Sequence, residues 1–435
     1  MGIPFYFVSL IRSHRGITKS VTKLEVDVAA FDFNCLIHRY LKDEDPVNSV
    51  IKALAYLLDN IIVAKKVIIA FDGIVPYAKI VQQRYRRMRS KEEGVFDRNQ
   101  ISPETAYMRE LETAVSARFP SAILSRTSEA GEGEHKIVLE LQKLKPAERK
   151  NVCIYGLDAD LILICLQNKG LTDAGKMHLI RESGEFSDPS LKSAEFSTLD
   201  IWGLSSQLPL DIDQYMTLSI LCFGNDFMPN LGIFSLREEG YERALDFYTK
   251  CGKPDLLVPA GRNCFLKYCV GKEFGILRER IASRRRPEEQ SIIGKVDSHI
   301  SRKYALHILD GVTDMSKVVE AYWKTFHWTC HYFRTSTAIN WHWYYPYADA
   351  PLITDIVKYA ETGIERGRLN FTVADQLHFI MPSASLRRTR RKVKYVDEIH
   401  DETRNPWMKR YDWEMKPRIS LPWNPTSQLT SVCLL

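Results

Sequence analysis

The sequence predicts an α/β fold: a central, mostly parallel sheet with surrounding helices, and a helical C-terminal portion packed on it. Three observations predict it. Short apolar runs at 25–33, 67–71 and 152–157 alternate with helix-like stretches, and strand, helix, strand in that order implies parallel βαβ units. Each run delivers acids at its end, Asp32, Asp72 and the pair Asp158 and Asp160, which collects them at the carboxyl edge where open α/β sheets bind ligands. Beyond residue 300 strand-like runs give way to an aromatic-rich, helical composition.

Bulk properties narrow the class. The chain has 435 residues, enough for two domains or one large domain with an appendage. Apolar content of 45% and charged content of 26% are those of an ordinary soluble globular protein. A net charge of +6 permits an acidic partner such as nucleic acid without demanding one. The nine cysteines show no CxxC pair and no zinc spacing, which points to free thiols in a reducing compartment. No apolar run of about 18 residues is present, so no membrane span is expected. The N-terminus lacks the basic residues and cleavage site of a signal peptide, and Tyr6 stands where myristoylation wants Ser or Thr.

Taken in order, 1–20 reads as a short amphipathic helix and 25–33 as a strand delivering Asp32. Residues 35–40 and 47–64 look helical, and 67–71 is a second apolar strand followed by Asp72-Gly73, a turn signal. Pro76 suits the first turn of a helix in which Lys79, Gln83, Arg86 and Arg87 fall at i, i+4, i+7 and i+8 and share a face. Such a face can cradle phosphate, because Arg grips two oxygens and Lys adds a point charge. A solvated basic helix is the commoner meaning of such a run, but this one starts four residues after a candidate metal acid.

Further along, 101–119 reads as a helix and 121–124 as a short strand. Gly131-Glu132-Gly133-Glu134-His135 then opens a helix running to about Leu144. Acids at a helix start are favoured by the macrodipole in any case, and His135 reads as a packed side chain. In Ile154 to Ile164 two aspartates interrupt an apolar run that holds no Lys or Arg. Two solvated aspartates on a turn after a strand are one reading of the pair; if they are buried, unpaired acids that close are costly, and a divalent cation resolves the cost. A strand-like run at 178–182 precedes a polar loop to about Thr198, and a helix at 211–222 ends at Gly224-Asn225-Asp226. After a helix at 237–251, Ser283-Arg284-Arg285-Arg286-Pro287 marks a charged junction. Residues 300–360 read as helical and carry Trp341-His342-Trp343-Tyr344-Tyr345, and a basic run at 387–392 precedes a Trp/Pro-rich tail. This divides the chain into an acid-rich α/β core (1–250), a charged helical connector (251–299) and an aromatic-rich, mainly helical region completing the site (300–435).

Seven acids thus stand at strand ends or tight turns: Asp32, Asp72, Glu132, Glu134, Asp158, Asp160 and Asp226. Jointly they describe a two-metal phosphodiesterase site, since Mg²⁺ takes a few carboxylates and keeps water and phosphate oxygens as its other ligands. With these blocks the chain resembles the Xrn family of 5′→3′ exoribonucleases. The resemblance runs through Met1-Gly2-Ile3-Pro4, Phe31-Asp32-Phe33-Asn34 to His38, Phe71-Asp72-Gly73 to Arg87, Ser102-Pro103 to Met108 and Gly131 to Ile137. It continues through Gly156 to Leu161, Arg181-Glu182, Gly224 to Pro229, Trp341 to Pro351, Gln376 to Ser385 and Trp413 to Trp423.

The resemblance implies a sheet of the PIN/flap-nuclease type, with all seven acids as catalytic metal ligands for two Mg²⁺ (or Mn²⁺). It implies that Lys79, Gln83, Arg86 and Arg87 receive a 5′-monophosphate, and that His38 stacks on the end base opposite Trp341 or Trp343. The implied activity is processive 5′→3′ digestion of single-stranded RNA to 5′-mononucleotides in RNA decay. The implied setting is a monomer, intracellular and cytoplasmic, coupled to a decapping enzyme. Phe5, Ala130 and Asp349 depart from residues usual in the family, none within the metal set, and the length suggests a compact member. The alternatives are a flap-type structure-specific DNA endonuclease, against which the basic set and the tryptophan block argue, and an inactive RNA-binding scaffold, against which the full acid set argues.

Overall fold

Five parallel strands carry the candidate site. In the computed structural model, which describes residues 2–89, 97–156, 158–183, 195–282, 301–305, 309, 312–347, 349–381, 399–400 and 418–419, β2 (Leu24–Asp32) lies between β3 (Ile62–Ala70) and β5 (Val152–Tyr155), with β4 (Ile123–Ser125) and β6 (Met177–Glu182) outside them, all parallel. β7 (Phe196–Asp200) pairs antiparallel with β6, and β1 (Thr18–Val21) pairs antiparallel with β7 to close that edge. Ala29, Ala30 and Phe31 are wholly buried, the continuous apolar run expected of a parallel strand covered on both faces. Asp32 is in register with Ala70 of β3, so Asp32 and Asp72 leave from neighbouring strand ends.

The helices, in chain order, are α1 (Tyr6–Ser13), α2 (Phe33–Ile37), α3 (Pro46–Tyr56), α4 (Tyr77–Arg89), α5 (Ala106–Arg118), α6 (Gly133–Lys143), α7 (Asp160–Asn168), α8 (Ile201–Gln207), α9 (Ile212–Phe223), α10 (Gly240–Lys250), α11 (Pro259–Ala282), α12 (Met315–Thr335), α13 (Ile353–Ile356) and α14 (Val373–Ile380). Side-chain oxygens start several of them: Asp45 accepts from Asn48 N at 3.0 Å with Pro46 at the first position, and Asp211 accepts from Gln214 N at 3.0 Å. α2, α3 and α5 cover one face of the sheet through Leu36, Val50, Leu54 and Leu111. α6, α7 and α9 cover the other, and α12 packs on α7 and α9, so the C-terminal helical portion lies on the sheet's own helices.

α4 has two occupations. Tyr77, Ile80 and Val81 pack on Phe371, Leu377 and Phe379. Buried Arg84 donates from Nη1 to Phe379 O at 2.7 Å, and Val75 N donates to Gln376 Oε1 at 2.9 Å. The opposite face of α4, with Lys79, Gln83, Arg86 and Arg87, is left for the sheet edge.

Several elements differ from the sequence reading. The first twenty residues hold α1 and then β1 rather than one helix. The helix expected over 47–64 ends at Tyr56, a wide turn (Leu57–Ile61) follows, and β3 begins at Ile62. Val63 is 41% exposed and Lys65 and Lys66 follow it, so this start of β3 lacks an apolar strand signature, yet it pairs with 24–28 of β2. The polar stretch before Thr198 runs into β7, held by pairing with both β6 and β1. α12 ends at Thr335, and the aromatic block after it is irregular chain tied back to α12. There Trp328 Nε1 donates to Asn340 O at 2.7 Å and Trp343 Nε1 to Thr325 Oγ1 at 3.0 Å. Met1, the junction at 283–287 and the basic run at 387–392 lie outside the described residues. Of the tail, Ile399–His400 and Arg418–Ile419 are described, as an antiparallel pair. Among the described residues no helix is long and apolar enough to cross a membrane.

Candidate active site

A cavity of about 240 Å³ opens at the carboxyl edge of the parallel strands. Asp32 at the end of β2, Asp72 just after β3, Glu132 and Glu134 at the start of α6, and Asp158 after β5 all line it. The start of α6 is pressed against the strand ends. Gly133 N donates to Asp72 Oδ1 at 2.7 Å, and a Cβ on Gly133 would lie 2.7 Å from Asp32 Oδ1 and 3.1 Å from Ala70 O. Only glycine lets the helix start come this close, which is what carries Glu132 and Glu134 to the same point as Asp32 and Asp72.

Asp160 and Asp226 stand behind this lining. Asp160 is wholly buried at the start of α7, and neither carboxylate oxygen has a hydrogen-bond partner among the described residues. Gly2 backs onto it, since a Cβ there would lie 2.3 Å from Asp160 Oδ1. Asp226 sits inside the turn in which Asn225 Oδ1 accepts from Phe227 N at 2.8 Å. It reaches the cluster through Lys79, whose Nζ lies 2.6 Å from Glu132 Oε2 and 3.0 Å from Asp226 Oδ2.

The electrostatics are those of an anion-rich pocket. Burial, then Asp72, pushes Asp32 well above the carboxylate range, and burial, then Asp160 and Glu132, does the same to Glu134. Burial, then Asp158 and Asp226, raises Asp160 to about 8. Burial works against the Lys79 ammonium, but Glu132 and Asp226 outweigh it and hold it well above the usual lysine range. The buried carboxylates outnumber the buried ammonium groups of Lys79 and Lys136, and among the described residues the two buried oxygens of Asp160 have no donor. The donor set is carboxylate oxygen, which suits a hard divalent cation such as Mg²⁺ or Mn²⁺, so the residues fit the metals expected from sequence. Among the described residues Glu132, Glu134 and His135 also form a group with ligand atoms within 4.8 Å of one another. His135, though, stacks on Tyr332 with ring centroids 3.9 Å apart, and burial lowers it to about 3.

The basic face of α4 borders the same cavity. Lys79, Gln83, Arg86 and Arg87 all line it, and so does His38. Arg87 is held by the 97–102 turn, donating to Asn99 Oδ1 at 2.9 Å, Ile101 O at 3.0 Å and Ser102 Oγ at 2.8 Å. Burial, then Arg86, lowers His38 to about 4, so its ring is neutral at pH 7. Neither Trp341 nor Trp343 is among the lining residues. Trp341 packs on Phe371 at 6.4 Å and its carbonyl accepts from Tyr77 N, while Trp343 is tied to Thr325 beneath Lys324.

Sequence reasoning missed several members. Asn34 Nδ2 donates to Asp72 Oδ2 at 2.8 Å and Cys35 Sγ donates to Asp32 Oδ2 at 2.8 Å; both lie within three residues of Asp32, and that nearness is the available signal. Arg98 and Ile101 line the cavity from the 97–102 turn, and Tyr332 of α12 donates to Glu132 Oε1 at 2.9 Å. No spacing in the sequence marks these three.

The fold and site define a class: an α/β protein with a carboxylate cluster and a basic helix converging at the carboxyl edge of a parallel sheet. Comparison with known proteins is specific. The family model described as "XRN 5'-3' exonuclease N-terminus" matches residues 1–95 and 88–183, and that described as "Xrn1 helical domain" matches 299–405. The chain belongs to the Xrn family.

Among curated relatives it is 26% identical over 264 residues to 5'-3' exoribonuclease 2 of Candida glabrata, covering 42% of this chain and 26% of that protein. It is 27% identical over 301 residues to 5'-3' exoribonuclease 1 of Saccharomyces cerevisiae, covering 53% of this chain and 19% of that one. The matches therefore span less than a third of these relatives' length. Flap endonuclease-1 from Methanococcus jannaschii overlaps at 14% identity and a TM-score of 0.35, covering 66% of this chain and 96% of that one.

Proposed function

We propose that this protein is a metal-dependent 5′→3′ exoribonuclease that removes mononucleotides from single-stranded RNA bearing a 5′-monophosphate. The observation that carries the reading is that one cavity is lined both by carboxylates and by Lys79, Gln83, Arg86 and Arg87. The seven acids Asp32, Asp72, Glu132, Glu134, Asp158, Asp160 and Asp226 are the proposed holders of two Mg²⁺ or Mn²⁺ ions. The chemistry supplied there by bound metal is activation of the attacking water and stabilisation of the leaving oxygen.

The chain's own residues do the rest. Arg86, Arg87 and Gln83 receive the terminal phosphate in charge-assisted hydrogen bonds, and Lys79 joins that set to the acids. The neutral ring of His38 offers a stacking face to the end base, which tolerates any sequence. Trp341 and Trp343 remain the proposed partners on the far side of that base. Supporting the reading, the named relatives are 5'-3' exoribonucleases. The proposed division is an acid-rich core over 1–250, a connector over 251–299 and a site-completing region over 300–435. A monophosphate end must be produced upstream, so a decapping activity is the proposed supplier. The described cysteines are all free thiols, in keeping with a proposed cytoplasmic setting and a monomeric enzyme.

The test is a time course on matched RNAs with 5′-monophosphate, 5′-hydroxyl and 5′-triphosphate ends, in Mg²⁺ or EDTA. Mononucleotide release from the monophosphate alone, and only with metal, is the expected result. Equal digestion of all three ends would sink the phosphate pocket. Release of oligomers from a DNA flap would favour a structure-specific endonuclease.

A further inference from the structure

Glu132 is one of the proposed metal ligands, and its two oxygens are held from opposite sides. Oε2 meets Lys79 Nζ at 2.6 Å, from the same half of the chain. Oε1 accepts the phenol hydrogen of Tyr332 at 2.9 Å, across 200 positions of sequence. The first family model ends at residue 183 and the second begins at 299, so this hydrogen bond joins a carboxylate of one region to a side chain of the other.

Tyr332 is built for a fixed position. It is 2% exposed, and its ring lies between His135 at 3.9 Å, Trp328 at 4.9 Å and Phe227 at 5.8 Å. Phe227 directly follows Asp226, and His135 directly follows Glu134. The same packed cluster therefore backs three of the seven acids. A phenol held this way cannot follow Glu132 if that side chain turns; it fixes one carboxylate orientation.

We propose that Tyr332 is a positioning residue for the metal centre. Its hydroxyl sets the orientation of Glu132, so the α12 region supplies part of the preorganisation of an acid cluster built on the sheet. Partners behind a metal ligand commonly change metal affinity or activity by roughly ten- to a hundredfold when removed. The proposal rests on the metal-site reading above.

The test is Tyr332→Phe, which removes one oxygen and keeps the ring, with Phe333→Leu as a packing control. Mn²⁺ binding is measured directly by titration of the RNA-free protein, beside the thermal midpoint in EDTA and kcat as a function of Mg²⁺. For Tyr332→Phe the expected result is a roughly tenfold or greater rise in Mn²⁺ Kd. Its kcat loss should shrink at high Mg²⁺, and its binding of 5′-monophosphorylated RNA in EDTA should match wild type. Phe333→Leu should lower the midpoint and leave Mn²⁺ binding alone. Wild-type Mn²⁺ affinity in Tyr332→Phe would overturn the positioning role while leaving the metal site standing. A parallel loss of Mn²⁺ binding in Phe333→Leu would overturn it in favour of general packing. Absence of Mn²⁺ binding by the wild type would overturn the metal-site reading and this role with it.

Discussion

At the scale of single residues the cavity divides into groups with separable effects. Asp158 lines the cavity among the acids, and Asp158→Ala should abolish mononucleotide release, by at least about a thousandfold in kcat, the order seen when a transition-state charge stabiliser is removed. Arg86 lines the same cavity. A hydrogen bond to a charged group is worth ~1.5–3 kcal/mol, so Arg86→Ala should narrow the preference for a monophosphate over a hydroxyl end by roughly ten- to a hundredfold. Competition between the two RNAs in one reaction reads that ratio directly.

The residue scale is also where sequence reading worked best. An acid straight after an apolar run is a local pattern, and Asp32, Asp72 and Asp158 were found that way and line one cavity. Tyr332 could not be, because its partner lies 200 residues away and a tyrosine in an aromatic helix carries no mark of the carboxylate it meets.

At the scale of elements, α4 is the piece whose placement matters most. Its outer face carries the basic set, and its inner face is seated on α14 by Tyr77, Ile80 and Val81. Arg84 is wholly buried and gives its Nη1 hydrogen to Phe379 O. Arg84→Met should keep the volume and leave that carbonyl without its donor, at a cost of about 1–3 kcal/mol. Urea unfolding checks the stability loss. A KM for monophosphorylated RNA that rises while kcat holds would show that α4 has shifted. Pro76 as a first-turn residue and the i, i+4, i+7, i+8 spacing of Lys79, Gln83, Arg86 and Arg87 found α4 from sequence. It did not find the beginning of β3 or β7, whose exposed and polar residues become strand only through pairing with neighbours.

For the whole molecule, buried ionisable groups tie stability to solution conditions. Glu273 of α11 is 1% exposed and accepts from Ile353 N at 2.7 Å and from Thr354 N and Oγ1 at 2.8 and 2.7 Å. Burial nonetheless pushes its carboxyl up to about 7 from 4.5. With the folded value above the unfolded one, the folded state holds more protons between those values. Stability is therefore greatest below about pH 4.5 for this group and is lost as pH rises through about 7, by up to about 3 kcal/mol. Urea midpoints from pH 5 to pH 8 should show this fall, and Glu273→Gln should flatten it. Divalent metal acts in the other direction. Ligation of the acid cluster stabilises only the folded state, so Mg²⁺ at a hundred times its Kd should add about 2.7 kcal/mol, seen as a thermal midpoint that drops on EDTA addition.

The bond from Arg84 to Phe379 spans 295 residues, and that span has a consequence during synthesis. At about 5–20 residues per second, a ribosome needs roughly 15–60 s to travel from one to the other. Over that interval the growing chain carries its basic helix and gains its remaining acids, from Glu132 to Asp226, but the surface on which α4 must sit does not yet exist. The proposed nuclease stays incomplete through that interval, while it is still tethered to its own message.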